Sequence, residues 1–283
     1  MKIAIVTDST AYLTTEQYEK YTIFKLPLSV ILNEKVYKEE VDITAKSFFE
    51  QTRTLDVLPT SSQPSVGEMV KLYTQLSKEY DAIISIHLSS EISGTYQNAC
   101  SVADMLEEIN IFPFDSGLTC AAQGFMARTA SLMAEKGATV EEILVTLTEL
   151  KEKTGIYFVV DDLTYLVRGG RLSNAAGAMG TLLKIKPVLT FEEEQIKVFE
   201  KIRTKKKALA RIEKQLAQNL SEVNYPIRAA IVHANCLEEA KEWKEKLEAS
   251  YPAVHFEISH FGPVIGVHVG ENALGLTWTE DKE

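Results

Sequence analysis

The sequence predicts an α/β protein in two parts: a doubly wound N-terminal α/β domain over residues 1–154 and a C-terminal α/β domain with a mixed sheet over residues 155–283. Three observations carry this reading. Short apolar runs alternate with longer amphipathic ones through the first half, the pattern of parallel strands covered by helices on both faces. After Gly155, two strand-like runs at 188–191 and 196–202 are joined by an acidic turn at 192–194, an antiparallel feature. The length, 283 residues, also suits two domains at ~100–200 residues each.

The elements follow in order. Residues 2–6 (KIAIV), 82–87 (AIISIH) and 111–114 (IFPF) are apolar without clean alternation and predict buried strands. Residues 23–32, the pair Asn33-Glu34 and residues 36–41 predict a hairpin-like insertion. Ser65 and Glu68 form a capping box ahead of Met69, Val70, Tyr73 and Leu76 on one helical face. Residues 95–108 and 119–136 predict helices, the second ended by Gly137. Thr139 and Glu142 repeat the capping box for a helix to about Lys153. In the second half, 156–160, 227–233 and 255–261 predict strands, 205–220 and 237–249 helices, and 272–279 a last strand. Between them, residues 163–185 are rich in Gly and Ala around the string RGGRLS at 168–173. The small residues of 175–183 suit the wall of an apolar channel or tight helix packing equally well.

Composition excludes several function classes. With 30 Lys+Arg against 40 Asp+Glu, the net charge of −10 does not fit a nucleic-acid binder. Three cysteines without CxxC spacing give neither a disulfide framework nor a zinc ribbon, and the five histidines show no ligand spacing, so no metal is expected. No apolar run approaches the ~18 residues of a membrane span, and the N-terminus lacks a signal-peptide pattern, so the expected location is the cytoplasm. GxGxxG after the first strand, GxxxxGK[ST] and GxSxG are all absent, and no cofactor is expected.

What remains is a concentration of hydroxyls where an open α/β sheet binds its ligands, beyond the carboxyl ends of the strands. Four loops carry them: 7–10 (TDST), 60–65 (TSSQPS), 89–95 (SSEISGT) and 115–117 (DSG). Hydroxyls and free N–H groups at helix N-termini suit a carboxylate or a phosphate. For any one Ser or Thr, capping its own helix is the commoner role. Arg168 and Arg171 could offer bidentate geometry to a planar anion, and a basic run from Lys197 to Lys214 forms a segregated positive patch in an acidic chain. His268, between Val267 and Val269, would complement a carboxylate if it met the hydroxyl cluster.

Seven strings in order, IAIVTDST, TSSQPS, SSEISGTYQNA, RGGRLS, KPVL, KIRTKKKAL and GPVIGVHVGENALGL, span residues 3–276. Together they resemble the DegV family of fatty-acid-binding proteins, which includes FakB, the acyl-carrying partner of bacterial fatty acid kinase. The resemblance implies a two-domain DegV-like fold enclosing one long-chain fatty acid, with an apolar acyl pocket at or near the domain interface. By the same resemblance, Ser61 or Ser62, Ser93 with Gly94 and Thr95, and His268 would hold the carboxylate, and Arg171, Lys201 and Arg203 would face the kinase or the transferred phosphate. The sequence departs from the family pattern at Ser61, where Thr is usual, and at Val267, Val269, Glu271 and Asn272 around the histidine. The implied function is a carrier, not an enzyme, that presents the carboxylate for acyl-phosphate formation. An acyl-ester hydrolase using Ser93 and His268 is the alternative, and a sensor of a small phosphate ligand a third.

Overall fold

The computed structural model describes residues 1–55, 57–173 and 185–283. The stretch 175–183 weighed as a channel wall therefore lies outside the described residues. In chain order the first half comprises β1 (Ile3–Asp8), a 3₁₀ turn (Ser9–Ala11), α1 (Thr15–Lys20), β2 (Ile23–Leu26), β3 (Ser29–Leu32), β4 (Lys35–Lys38), α2 (Ala45–Thr52), β5 (Thr60–Ser62), α3 (Val66–Leu76), β6 (Ala82–His87), α4 (Thr95–Met105), β7 (Ile111–Asp115), α5 (Cys120–Glu135) and α6 (Val140–Lys153). The second half comprises β8 (Gly155–Val159), α7 (Thr164–Arg168), β9 (Val188–Glu192), β10 (Gln195–Glu200), α8 (Lys205–Glu222), β11 (Ile227–His233), α9 (Leu237–Ser250), β12 (His255–His260), α10 (Pro263–Val269) and β13 (Leu274–Glu280).

The first sheet is parallel, in the order β2-β1-β6-β7. Every residue of β1 and β6 is buried, which is why neither shows polar alternation. The second sheet has the order β10-β9-β8-β13-β11-β12 and is antiparallel except between β11 and β12. The C-terminal run 272–279 thus becomes a central strand, paired to β8 on one side and β11 on the other.

One expectation is corrected. Residues 23–26 do not belong to a hairpin insertion; they form β2, the parallel edge strand of the first sheet. Pro27 ends that strand because it has no N–H to donate to a ladder. The chain then reverses through Asn33 and Glu34, with φ of 47° and 65°, the left-handed pair of a tight hairpin turn. β3 and β4 form that hairpin, and β5 adds as a third strand with Val30 opposite Ser61. The stretch around His268, to which the sequence reading assigned no element, is a helix, α10, with Pro263 at its first position, where a missing N–H costs nothing.

Helix α5 joins the halves. Its first eleven residues, Cys120 through Ala130, are all buried, as befits a helix packed between the first sheet and β11–β13. Its Arg128 is 2 % exposed and forms ion pairs with Glu257 of β12 at 3.0 Å and with Glu283 at 2.6 Å. The largest apolar cluster draws Tyr12, Leu28, Val30, Phe48 and Phe49 from the first half and Phe158, Leu189, Val232 and Val264 from the second. No helix among the described residues is long and apolar enough to cross a membrane.

Candidate functional site

A cavity of about 300 Å³ opens within that shared cluster, at the lower end of the ~300–1,000 Å³ usual for ligand pockets. Most of its wall is apolar: Leu28, Leu88, Phe158, Phe191, Val232, Phe261 and Ile265 contribute. Polar residues of the wall include Ser61, Ser62 and Gln63 from β5 and its end, Ser93 and Gly94 ahead of α4, and His268 with Arg171 from α10 and the turn after α7, with Thr119, Tyr157 and Thr277 contributing elsewhere.

Ser61 reaches the cavity because β5 pairs with β3, and α10 packs against both strands. Its Oγ lies 2.9 Å from His268 Nε2. His268 stands in the last turn of α10, only 9 % exposed, and its Nδ1 is buried without a partner among the described residues. Burial, with the neighbouring Arg171 guanidinium, lowers its pKa to about 4, so the ring is neutral near pH 7. Whichever nitrogen carries the proton, Ser61 satisfies one and leaves the other unpaired.

Arg171 is half-buried and pinned. Its Nε donates to the Ile92 carbonyl at 3.1 Å and its Nη1 to the Gly169 carbonyl. Desolvation lowers its pKa from the usual arginine value. Gly169 lies so close to His268 Nδ1 that no Cβ would fit between them, and Gly170, at φ +69°, reverses the chain behind it. The RGGR string is therefore not a solvated loop presenting two arginines alike: Arg171 is turned into the cavity wall while Arg168 stays exposed.

Ser93 Oγ shares a hydrogen bond with Thr95 Oγ1 at 2.9 Å and accepts from the Thr95 N–H at 3.3 Å. Thr95 is wholly buried behind it and does not line the cavity. Gly94 is the N-cap of α4 with no side-chain cap, and beyond the Thr95 N–H, which Ser93 takes, the first turn keeps N–H groups without intrahelical partners. Ser62 is exposed, and its hydroxyl donates to the Gln63 carbonyl. Lys201 and Arg203 are exposed between β10 and α8 and line no part of the cavity. Nearby Lys205 and Arg211 are paired with Glu239 and Glu200, which dilutes the basic patch.

Only two of the four hydroxyl loops meet the cavity. Thr7 donates to the Ile86 carbonyl, Ser9 to Glu39, Thr10 to Asp8 and Ser116 to the Leu118 carbonyl. All four are buried, and a buried hydroxyl takes the nearest partner because leaving it unpaired is costly. Ser65 caps α3 in a full capping box with Glu68.

Two features escape the sequence. A buried chain runs from Tyr73 through Ser85 and His87 to Asp8, at 2.8, 2.8 and 3.2 Å. Asp8 also accepts the Leu88 N–H at 2.9 Å and so fixes the start of the loop that carries Ser93. The available signal was a serine and a histidine inside an otherwise apolar buried strand. Glu39, 0 % exposed, accepts from Tyr12 at 2.9 Å, from the Val264 N–H at 2.7 Å and from Ser9, tying β4 to the start of α10. Burial outweighs these donors and raises its pKa to about 7. No sequence pattern marks it.

Residues 2–281 match the family model described as uncharacterised protein, DegV family. Protein DegV of Bacillus subtilis is 50% identical over 279 residues, 98% of this chain and 99% of that protein. The crystal structure described as DegV, a fatty acid binding protein from Bacillus subtilis, superposes with a TM-score of 0.94 at 48% identity, covering 99% of this chain and 100% of the other. A structure described as fatty acid binding of a DegV family protein from Thermus thermophilus gives a TM-score of 0.93 at 29% identity, with 99% and 100% covered.

Proposed function

The chain belongs to the DegV family, and from that premise we propose that it holds one long-chain fatty acid in the cavity, with the carboxylate at the polar wall. The observation that carries this is the composition of one enclosure: an apolar surround in which Ser61, His268, Arg171 and Ser93 collect at the wall. Each buried CH₂ contributes about 0.8 kcal/mol without any specific contact. A carboxylate, by contrast, must be paired on entry, and the Ser61 and Ser93 hydroxyls with the Arg171 guanidinium are the donors this wall offers it. In this reading Ser61 or Ser62, Ser93 and the Gly94 backbone receive the carboxylate with His268, Thr95 holds Ser93 from behind, and residues 1–154 and 155–283 are two domains with the acyl pocket between them.

The bound acid is a phosphoryl acceptor. A carboxylate oxygen attacks the terminal phosphorus of a nucleotide held by a separate cytoplasmic fatty acid kinase. The bond from that phosphorus to the leaving diphosphate breaks, and an acyl phosphate remains in the carrier. Metal and nucleotide belong to the kinase, since such transfer rests on positioning and charge stabilisation. This chain contributes the held acceptor, Arg171 beside it, and Lys201 and Arg203 as exposed cations for the kinase surface.

The hydrolase alternative has less support. His268 bonds Ser61, not Ser93, and no carboxylate orients its Nδ1. A ring with a pKa near 4 is also a weak general base. A phosphate sensor would not need the apolar surround.

The test is mass spectrometry of the purified protein, native and then after organic extraction. One long-chain fatty acid per chain, released on denaturation, is the expected result. A protein that is empty and takes up no added fatty acid overturns the reading.

A further inference from the structure

Thr119 brings a further hydroxyl to the cavity wall, beside Cys120. The residue is 4 % exposed, and its Oγ1 makes no hydrogen bond among the described residues. It stands at the N-cap of α5, where a threonine hydroxyl ordinarily accepts an N–H from the first turn of its own helix. Here that bond is not made. Cys120, the first residue of the helix, is left-handed with φ of 56°, a strained conformation for a residue that carries a side chain. The Cys120 thiol stands against the threonine hydroxyl, but burial raises its pKa and keeps it protonated, and a thiol is a weak hydrogen-bond partner. No carbonyl among the described residues accepts from the Cys120 N–H.

This hydroxyl also enters from a different side than Ser93. Ser93 and Gly94 precede α4, whose Ala99 and Val102 share a cluster with Ala4, Val6 and Ile83. Thr119 precedes α5, whose Ala122 and Met126 share a cluster with Ile5, Ile84 and Ile86. Alternate residues of a strand face opposite ways, so the two helices cover opposite faces of the first sheet. Cys120 belongs with Leu28, Leu88 and Phe158 of the wall to the apolar cluster shared by both halves. The unpaired hydroxyl is thus set among surfaces suited to an acyl chain.

We infer that Thr119 is a second recognition point of the cavity, for a hydroxyl carried on the acyl chain, and that the preferred ligand class is a hydroxylated long-chain fatty acid. Against an unsubstituted chain Thr119 Oγ1 stays buried and unpaired, which is costly. Against a chain hydroxyl, two buried groups that can each donate and accept satisfy one another. A site built to hydrogen-bond a ligand hydroxyl discriminates against the analogue that lacks it, because its own polar group is then left alone. The inference rests on the fatty-acid reading of the cavity and adds to it the chemistry of the chain.

The experiment offers delipidated full-length protein an equal mixture of octadecanoic acid and its monohydroxy isomers, the hydroxyl placed at different carbons along the chain. Bound acids are then counted by extraction and mass spectrometry. The expected result is a preference of about tenfold for one isomer or a few neighbouring ones over octadecanoic acid, the worth of one buried hydrogen bond. Thr119→Val, alike in shape but without the hydroxyl, should lose that preference, and Thr119→Ser should keep it. The delipidated Thr119→Val protein should also melt no lower than wild type, because an unpaired buried hydroxyl has been removed. A fall of several degrees would mark the hydroxyl as a structural cap of α5 and overturn the inference. Uptake of octadecanoic acid without preference for any isomer, or a preference that survives in Thr119→Val, overturns this recognition point and leaves the carrier reading standing. A protein that takes up none of the acids overturns both.

Discussion

Two serine–histidine pairs lie in this molecule at nearly the same spacing, and they differ in what surrounds them. Ser85 Oγ sits 2.8 Å from His87 Nε2, and Ser61 Oγ sits 2.9 Å from His268 Nε2. In the first pair every atom is occupied: Tyr73 meets Ser85, Asp8 meets His87 Nδ1, and all four residues are 0 % exposed. Written as Asp8–His87–Ser85, it has the membership of a hydrolytic triad but no surface a substrate could reach. In the second pair the histidine keeps an unpaired nitrogen, no carboxylate orients it, and a cavity lies against it. Completed hydrogen bonding in a closed core makes a structural joint, whereas incomplete bonding beside a cavity makes a place for a ligand.

The comparison breaks first at Asp8. Asp8→Ala would strip the partner from the Leu88 and Thr10 N–H groups, the Thr10 hydroxyl and His87 at once. Leaving such buried groups unpaired costs about 3–5 kcal/mol, and urea unfolding should show it. If the loss is under ~1 kcal/mol, the buried chain is not a structural joint. The opposite response is expected at the second pair. Ser61→Ala removes one hydrogen bond and should change stability by about 1 kcal/mol or less. The double variant Ser93→Ala/His268→Ala should lower retained fatty acid about tenfold or more. Wild-type retention, together with wild-type acceptance of phosphate from a kinase, would show that the carboxylate is held elsewhere.

A third test sharpens the contrast through packing alone. Gly169→Ala places a methyl against His268 Nδ1, so the ring must leave its present position and its contact with Ser61 is disturbed. Fatty-acid binding should weaken several-fold while unfolding shifts by no more than about 1–3 kcal/mol, the range for overpacking. Unchanged binding would mean that the orientation of the ring does not matter.

The smallest effect concerns pH. Glu39 anchors the start of the helix that carries His268, and its folded pKa of about 7 lies above the usual carboxylate value of 4.5. The folded state therefore holds a proton that the unfolded chain releases. The stabilisation this gives is complete below about pH 4.5 and is lost as pH rises through about 7. Chemical denaturation across pH 5–8 should show this slope, and Glu39→Gln should reduce it, the remainder coming from Glu257, whose pKa burial also raises to about 7. His268, titrating near 4, adds little change over that window, so fatty-acid affinity should stay nearly level between pH 6 and 8. A step in affinity near 6.5 would contradict the buried, neutral ring.

Much of this architecture was legible in the chain. The strands at 82–87 and 227–233 were placed to the residue, and the capping boxes at Ser65 and Thr139 form as read, because burial pattern and capping are local properties written in neighbouring residues. Residues 263–269 were not read as a helix, since glycine at 262, 266 and 270 obscures the period of an otherwise wholly buried segment. The third strand at 60–62 was missed for a different reason: three polar residues have no strand signature, and pairing with β3 alone makes them one.

The same division runs through the site. The sequence by itself determined the fold class, the family and the residue types able to meet an anion, because these reside in periodicity, capping signals and ordered strings of residues. Only the tertiary structure decided which hydroxyls were free to do so. Thr7, Ser9, Thr10 and Ser116 are turned inward to local partners, while Ser61 and Ser93 stand in the wall of the cavity. Likewise, nothing within RGGR separates Arg171, in the wall of the cavity, from Arg168, which is exposed outside it. A hydroxyl or guanidinium is chemically the same wherever it sits in the chain, and its role follows from which partners the packed fold brings within about 3 Å of it.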